Sequence, residues 1–179
     1  MRITTDQTKC LVIDYQEKIV PAMADKEALL ENAVKLITGL KLLNIPLAIT
    51  GQYTKGLGLN LPEIFAAAGT EAYFDKLTFS AYEEPKVKEW LGEEPGCVLI
   101  CGIEAHVCVL QTAIDLKDAG FTPVLVADCI SSRKKSDLEI ALLRARQEGI
   151  LLTTSEAILF ELTRQAGTDV FKKISKLVK

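Results

Sequence analysis

Five short apolar runs, separated by longer segments of helical period, most constrain what this chain can fold into. The runs are Cys10–Asp14 (CLVID), Pro46–Thr50 (PLAIT), Cys97–Gly102 (CVLICG), Pro123–Ala127 (PVLVA) and Ile150–Thr153 (ILLT). Each is strand-length and polar on neither face, as strands are when helices cover both sides. Between the first two, Leu29, Ala33, Leu36, Leu40 and Leu43 recur at helical spacing and form one apolar stripe, which Asn44 and Pro46 end. Ser136 and Glu139 stand at capping-box spacing before Leu138, Ala141, Leu142 and Ala145, and Gly149 sits where that helix should stop. Thr153 and Glu156 repeat the box before a last major helix. Such alternation implies an α/β fold of three layers, α-β-α, around a parallel, doubly wound sheet of five or six strands with right-handed crossovers. The 179 residues, with no repeat and no linker, suit a single domain over residues 1–179.

Ligands of such sheets sit beyond the carboxyl ends of the strands. Three expected strand ends carry reactive side chains: Asp14, the segment Gly102–Cys108, and Asp128 with Cys129. Composition narrows their chemistry. There is one histidine, His106, with no serine near it in sequence, which disfavours a Ser-His-Asp triad, and one imidazole cannot build a His-rich metal site. The five cysteines (10, 97, 101, 108 and 129) include no C-x-x-C pair. A net charge of −3 argues against nucleic acid as a partner. MRITTDQTKC lacks a signal-peptide core, no apolar run approaches the ~20 residues of a membrane span, and the cysteine count is odd. These features lead us to expect a cytoplasmic protein with free thiols and no membrane partner.

VLICGIEAHVCVLQTAIDLKDAG is the most informative segment. A buried strand should run to Gly102 and a helix from about His106 or Val107 to Gly120, placing Cys108 in or beside its first turn. Unpaired N–H groups there favour a thiolate. A cysteine of pKa ~8.5 is only ~3% ionised at pH 7, and a two-unit fall takes ~2.7 kcal/mol. A helix terminus supplies ~0.3–1 kcal/mol, too little alone. A lysine ~4 Å away would supply ~4 kcal/mol at an effective dielectric of ~20. A carboxylate would oppose ionisation yet could accept the thiol proton as a base. The chemistry thus asks for one acid, for which Asp14 is the candidate, and one lysine from the middle of the chain. An apolar helix position packed on the sheet is the competing assignment for Cys108. Cys10, Cys97 and Cys101 fall inside strands and are expected to be inert, whereas Cys129, at a strand end, is a pocket candidate.

With these residues in view, the sequence resembles the isochorismatase-like cysteine hydrolases, a superfamily that includes nicotinamidases and N-carbamoyl amide hydrolases. CLVIDYQ carries Asp14 and Gln16 of a D-x-Q motif, FDKLTFSAY carries Lys76, Phe79 and Ser80 of K-x-x-F-S, and CGIEAHVCV carries Cys108. The resemblance implies Cys108 as nucleophile, Asp14 as general base and Lys76 as the group that steadies the thiolate. It also implies a cis peptide at Ile103–Glu104 and an oxyanion hole from the amides of Glu104 and Cys108. The implied reaction is two-step acyl transfer on a small C–N bonded substrate. Nicotinamidases of this family hold the substrate ring through a D-x-H-x-x-H metal site. The segment here, ITGQYTKGLG, has no histidine, so no metal and no cofactor are expected. Relatives assemble, so a homo-oligomer is expected too.

Other residues near these motifs are weaker candidates. Tyr15, Gln16, Phe79, Tyr82 and His106 are pocket candidates, although His106 and Cys108, at i and i+2, do not face each other on a helix. Arg133 is read as bracing a neighbouring loop or subunit. Two other functions stand beside the hydrolase: a non-catalytic binding or scaffold protein, and a thiol-redox protein with Cys129 resolving Cys108.

Overall fold

The computed structural model describes all 179 residues. β1 (Thr8–Ile13) leads through α1 (Lys26–Leu42) to β2 (Leu47–Gln52), then through α2 (Thr54–Leu57) and α3 (Pro62–Ala68) to β3 (Phe74–Lys76). α4 (Pro85–Leu91) precedes β4 (Cys97–Ile103). A π-helical turn, Ala105–Val109, runs into α5 (Leu110–Asp118). β5 (Thr122–Ser131), α6 (Lys135–Gln147), β6 (Leu151–Thr153), α7 (Ser155–Thr163) and α8 (Asp169–Leu177) complete the chain. The six strands form one parallel sheet of order β3-β2-β1-β4-β5-β6. No helix is long and apolar enough to cross a membrane.

Side-chain parity explains the three layers. In β1, Cys10 and Val12 enter the core under α1, α3, α7 and α8, while Leu11 and Ile13 enter the core under α4, α5 and α6. β4 divides the same way, with Leu99 and Cys101 on one side and Val98 and Ile100 on the other. Buried on both faces, these strands can be apolar throughout. The stripe of α1 packs as expected: Leu29, Ala33, Leu36 and Leu40 are buried, and Asn44 follows the last turn in the left-handed region at φ +57°.

Several expectations are corrected. α6 begins at Lys135, so Ser136 lies inside it and Lys134, not a capping serine, is its N-cap. In α7 the cap is Thr154, whose hydroxyl accepts from Ala157 N at 3.4 Å, one residue later than the Thr153 box. The sheet has a sixth strand, β3, that no apolar run announces. It is three residues at an edge, with Asp75 exposed to solvent. β5 does not stop at Ala127. It shifts register against β4 between the pairs Ile100–Leu125 and Gly102–Ile130, then continues to Ser131.

Gly102 locks the top of β4 against β1. It sits at φ +136°, and an added Cβ would lie 2.1 Å from the Ile13 carbonyl oxygen, a backbone atom that cannot swing aside. Gly102→Ala is therefore expected to cost at least about 2 kcal/mol, from the combined clash and backbone strain. Denaturant midpoints measure it, and a wild-type midpoint would remove this role.

Candidate active site

Four neighbouring strands, β3, β2, β1 and β4, each deliver one side chain to the same end of the sheet. These are Lys76, the last residue of β3, Gln52, the last of β2, Asp14, which follows β1, and Cys108, which β4 delivers through the π-helical turn. Their spatial order is the sheet order, not the chain order.

Asp14 is held at φ +54°, with its N–H donating to Thr50 O at 3.2 Å. Thr50 Oγ1 donates to Asp14 Oδ1 at 2.8 Å. Lys76 Nζ lies 2.8 Å from Asp14 Oδ2, and neither side chain is more than 1% exposed. The ammonium also donates to Gln52 Oε1 (2.6 Å) and to the carbonyls of Phe79 (3.1 Å) and Thr78 (3.3 Å). Asp14 is thus held by the Thr50 hydroxyl at one oxygen and by the Lys76 ammonium at the other. Burial raises the Asp14 carboxyl above its ordinary value, against the opposing pull of Lys76 and Thr50.

Cys108 is 6% exposed. Its thiol faces Gln52 Oε1 at 3.9 Å, so one amide oxygen serves both the lysine and the sulfur. Thr112 Oγ1 donates to the Cys108 carbonyl at 2.6 Å and accepts from Ala81 N at 2.8 Å, tying the turn that carries Cys108 to the segment after Ser80. The thiolate expectation is corrected here. The Cys108 thiol is pushed up to about 12, first by burial and then by the Asp14 charge, and Lys76 only partly offsets both. The lysine is present, but its nearest partner is the acid, and their fields at the sulfur largely cancel.

The Ile103–Glu104 peptide is cis. The Glu104 N–H has no acceptor within the chain, while the Glu104 carbonyl accepts from Val107 N and Val109 N. Asp14, Gln52, Cys108, Glu104 and Phe79 line a cavity of about 380 Å³. No cluster of three or more His, Cys, Asp and Glu side chains is arranged to hold a metal ion.

The structure does not bring the other candidates to this cavity. Tyr15 is buried on the α1 side, and its hydroxyl donates to the Cys129 carbonyl. Gln16 braces the loop beyond β2: it accepts from Gln52 N at 2.8 Å and donates to the carbonyls of Gln52 (3.0 Å) and Gly58 (2.6 Å). Tyr82 packs edge-on against Phe121 and under the Lys88 ammonium. Cys129 is fully buried in the core on the α1 side, whereas Cys108 belongs to the core on the α5 side. The register shift in β5 turns it there, so it does not face Cys108 as a resolving thiol. Asp128 caps α7, accepting from Ser155 N (2.8 Å) and Ser155 Oγ (2.6 Å). His106 does meet a serine, remote in sequence: its Nδ1 lies 2.9 Å from Ser132 Oγ. Ser132 is fully buried, so this pair ties the π-helical turn to the end of β5 and presents no nucleophile.

Gln52, Thr50 and Lys18 are the residues missed in the sequence. Gln52 lies two residues beyond the second apolar run, at the end of β2.

A model of the isochorismatase domain matches residues 8–157. Isochorismatase domain-containing protein 2 of Danio rerio is 38% identical over 180 residues, covering 99% of this chain and 89% of that protein. The solved structure of a Caenorhabditis elegans protein described as MAR1 ribonuclease has a TM-score of 0.93 at 35% identity, covering 99% of this chain and 92% of that one. The Escherichia coli YcaC gene product, described as an octameric hydrolase of unknown specificity, shares the fold with a TM-score of 0.90 at 22% identity, covering 99% and 89%.

Proposed function

We propose that this chain, which belongs to the isochorismatase domain family, is a metal-independent cysteine hydrolase that cleaves a C–N bond in a small amide-like substrate. One observation carries the reading: a buried thiol shares a cavity with a buried carboxylate that a lysine ammonium meets at 2.8 Å. A thiol of pKa about 12 leaves roughly one thiolate in 10⁵ at pH 7. The proton therefore leaves as the sulfur attacks, passing to Asp14. The carbonyl oxygen becomes an oxyanion held by the amides of Glu104 and Cys108. Asp14 then protonates the departing nitrogen, and the C–N bond breaks to leave a thioester on Cys108. Water, deprotonated by Asp14, attacks the thioester and releases the acid and the thiol. Lys76 keeps Asp14 ionised between these transfers.

The test is acid quenching of the protein during incubation with a panel of small amides, followed by mass analysis. The expected result is an acyl adduct on Cys108; turnover with the adduct on another residue overturns the reading. Asp14 must be ionised to act as base, so kcat/KM should fall as pH drops through a pKa above the ordinary carboxylate value, in line with its raised carboxyl. An acid limb at or below the ordinary value would contradict that role.

The ribonuclease description of the worm protein offers a second reading, phosphodiester cleavage. A cavity of about 380 Å³ suits one small molecule, and a net charge of −3 does not favour a polynucleotide. Adding RNA to the same panel separates the two. A homo-oligomer is also part of this proposal. The octameric neighbour supports it, as do exposed Leu77 and Phe79 beside the cavity.

A further inference from the structure

The charges around the cavity do not balance. Asp14 is met by Lys76 at 2.8 Å, and Glu104 by Arg133, whose Nε lies 3.1 Å from Glu104 Oε2. Arg133 N donates to the same oxygen at 3.1 Å, so the guanidinium is anchored at one edge while neither Nη donates within the chain. Lys18, also on the cavity wall, has no carboxylate partner. Its Nζ donates only to the Gly56 carbonyl, at 3.0 Å. Two paired anions against three cations leave one positive charge in excess, in a protein of net charge −3. The remaining wall is largely apolar, including Ile19, Leu57 and Phe79.

From this we infer that the cavity takes a short amide bearing an anionic group, a carboxylate in its simplest form. Lys18 holds that group at the mouth, Arg133 offers its free Nη edge, and the carbonyl lies over Cys108. The inference rests on the Cys108 reading above and names its substrate class. An exposed ammonium contributes modestly, so discrimination of about fivefold is expected from Lys18 alone. It should weaken as salt rises.

Alkylation of Cys108 tests the subsite without requiring turnover. In this reaction the thiol loses its proton, a C–S bond forms and iodide leaves. Iodoacetate carries the anion, and iodoacetamide is its neutral counterpart. The ratio of their rates at Cys108, divided by the same ratio for a small free thiol at the same pH, is expected to be about fivefold or more. Lys18→Met should lower it to near one, whereas Lys55→Met, which removes an equal charge outside the cavity, should leave it in place. A wild-type ratio of one, or an equal fall in both variants, overturns the subsite. As a second measurement, malonamate should protect Cys108 from iodoacetamide better than malonamide does, and equal protection counts against the subsite. If the anion preference holds but no amide acylates Cys108, the subsite stands and the hydrolase reading fails. If neutral and anionic amides acylate it equally, the hydrolase reading stands and the subsite fails.

Discussion

Cys108→Ala is expected to reduce turnover of any amide substrate by about 10⁴-fold or more while leaving the fold intact. In the proposed reaction the sulfur is the attacking atom, and no other thiol can replace it. Cys10, Cys97 and Cys129 lie in the core on the α1 side, away from the cavity that Cys108 lines. Cys101 is fully buried in the same core. The small volume lost at a site facing a cavity keeps the stability change modest. Steady-state kinetics beside thermal denaturation measures both effects. Retained activity in a folded Cys108→Ala protein would remove the thiol from the chemistry. Cys108→Ser gives a finer reading: a hydroxyl is a still weaker acid than the raised thiol, so Asp14 alone should not rescue the rate.

Lys76→Met is expected to damage stability and activity together. It strips the only cation from a carboxylate that is 1% exposed, and breaking one half of a buried pair costs about 3–5 kcal/mol. The sign follows from the shift. Asp14 is already raised by burial, with Lys76 as the largest opposing influence. Without Lys76 it rises further and takes up a proton in the folded state. Stability should then be highest at low pH and fall as pH climbs through the new folded value, because above it the buried charge must be carried uncompensated. Protonated Asp14 cannot act as base, so turnover falls as well. The double variant Asp14→Asn/Lys76→Met separates the two losses. It removes both charges and should recover much of the stability, yet remain inactive. If the double variant proved no more stable than Lys76→Met, the uncompensated charge would not be the cause.

Much of the site was legible because strand ends are legible. Asp14 and Cys108 follow apolar runs long enough to be read as buried strands, and the rule that ligands gather beyond carboxyl ends singled them out. Lys76 was reached only through a motif resemblance. Its strand, Phe74–Lys76, is three residues at a sheet edge with one face wet, too short and too polar to produce a periodic signal. Gln52 ends a strand that was recognised, yet an amide carries no reactivity to mark it. Its role comes from lying between Lys76 Nζ and Cys108 Sγ.

By itself, the sequence determined the α/β architecture and marked Asp14 and Cys108 as the candidate acid and thiol. Burial on one or both faces of an element is written locally in the spacing of apolar residues. Only the tertiary structure decided that β3, β2, β1 and β4 lie side by side, so that residues far apart in the chain form one row. It also decided that a register shift in β5 turns Cys129 away from Cys108. Finally, it decided the sign of the Cys108 shift, because desolvation and the opposed fields of Asp14 and Lys76 depend on distances and burial that no local pattern encodes.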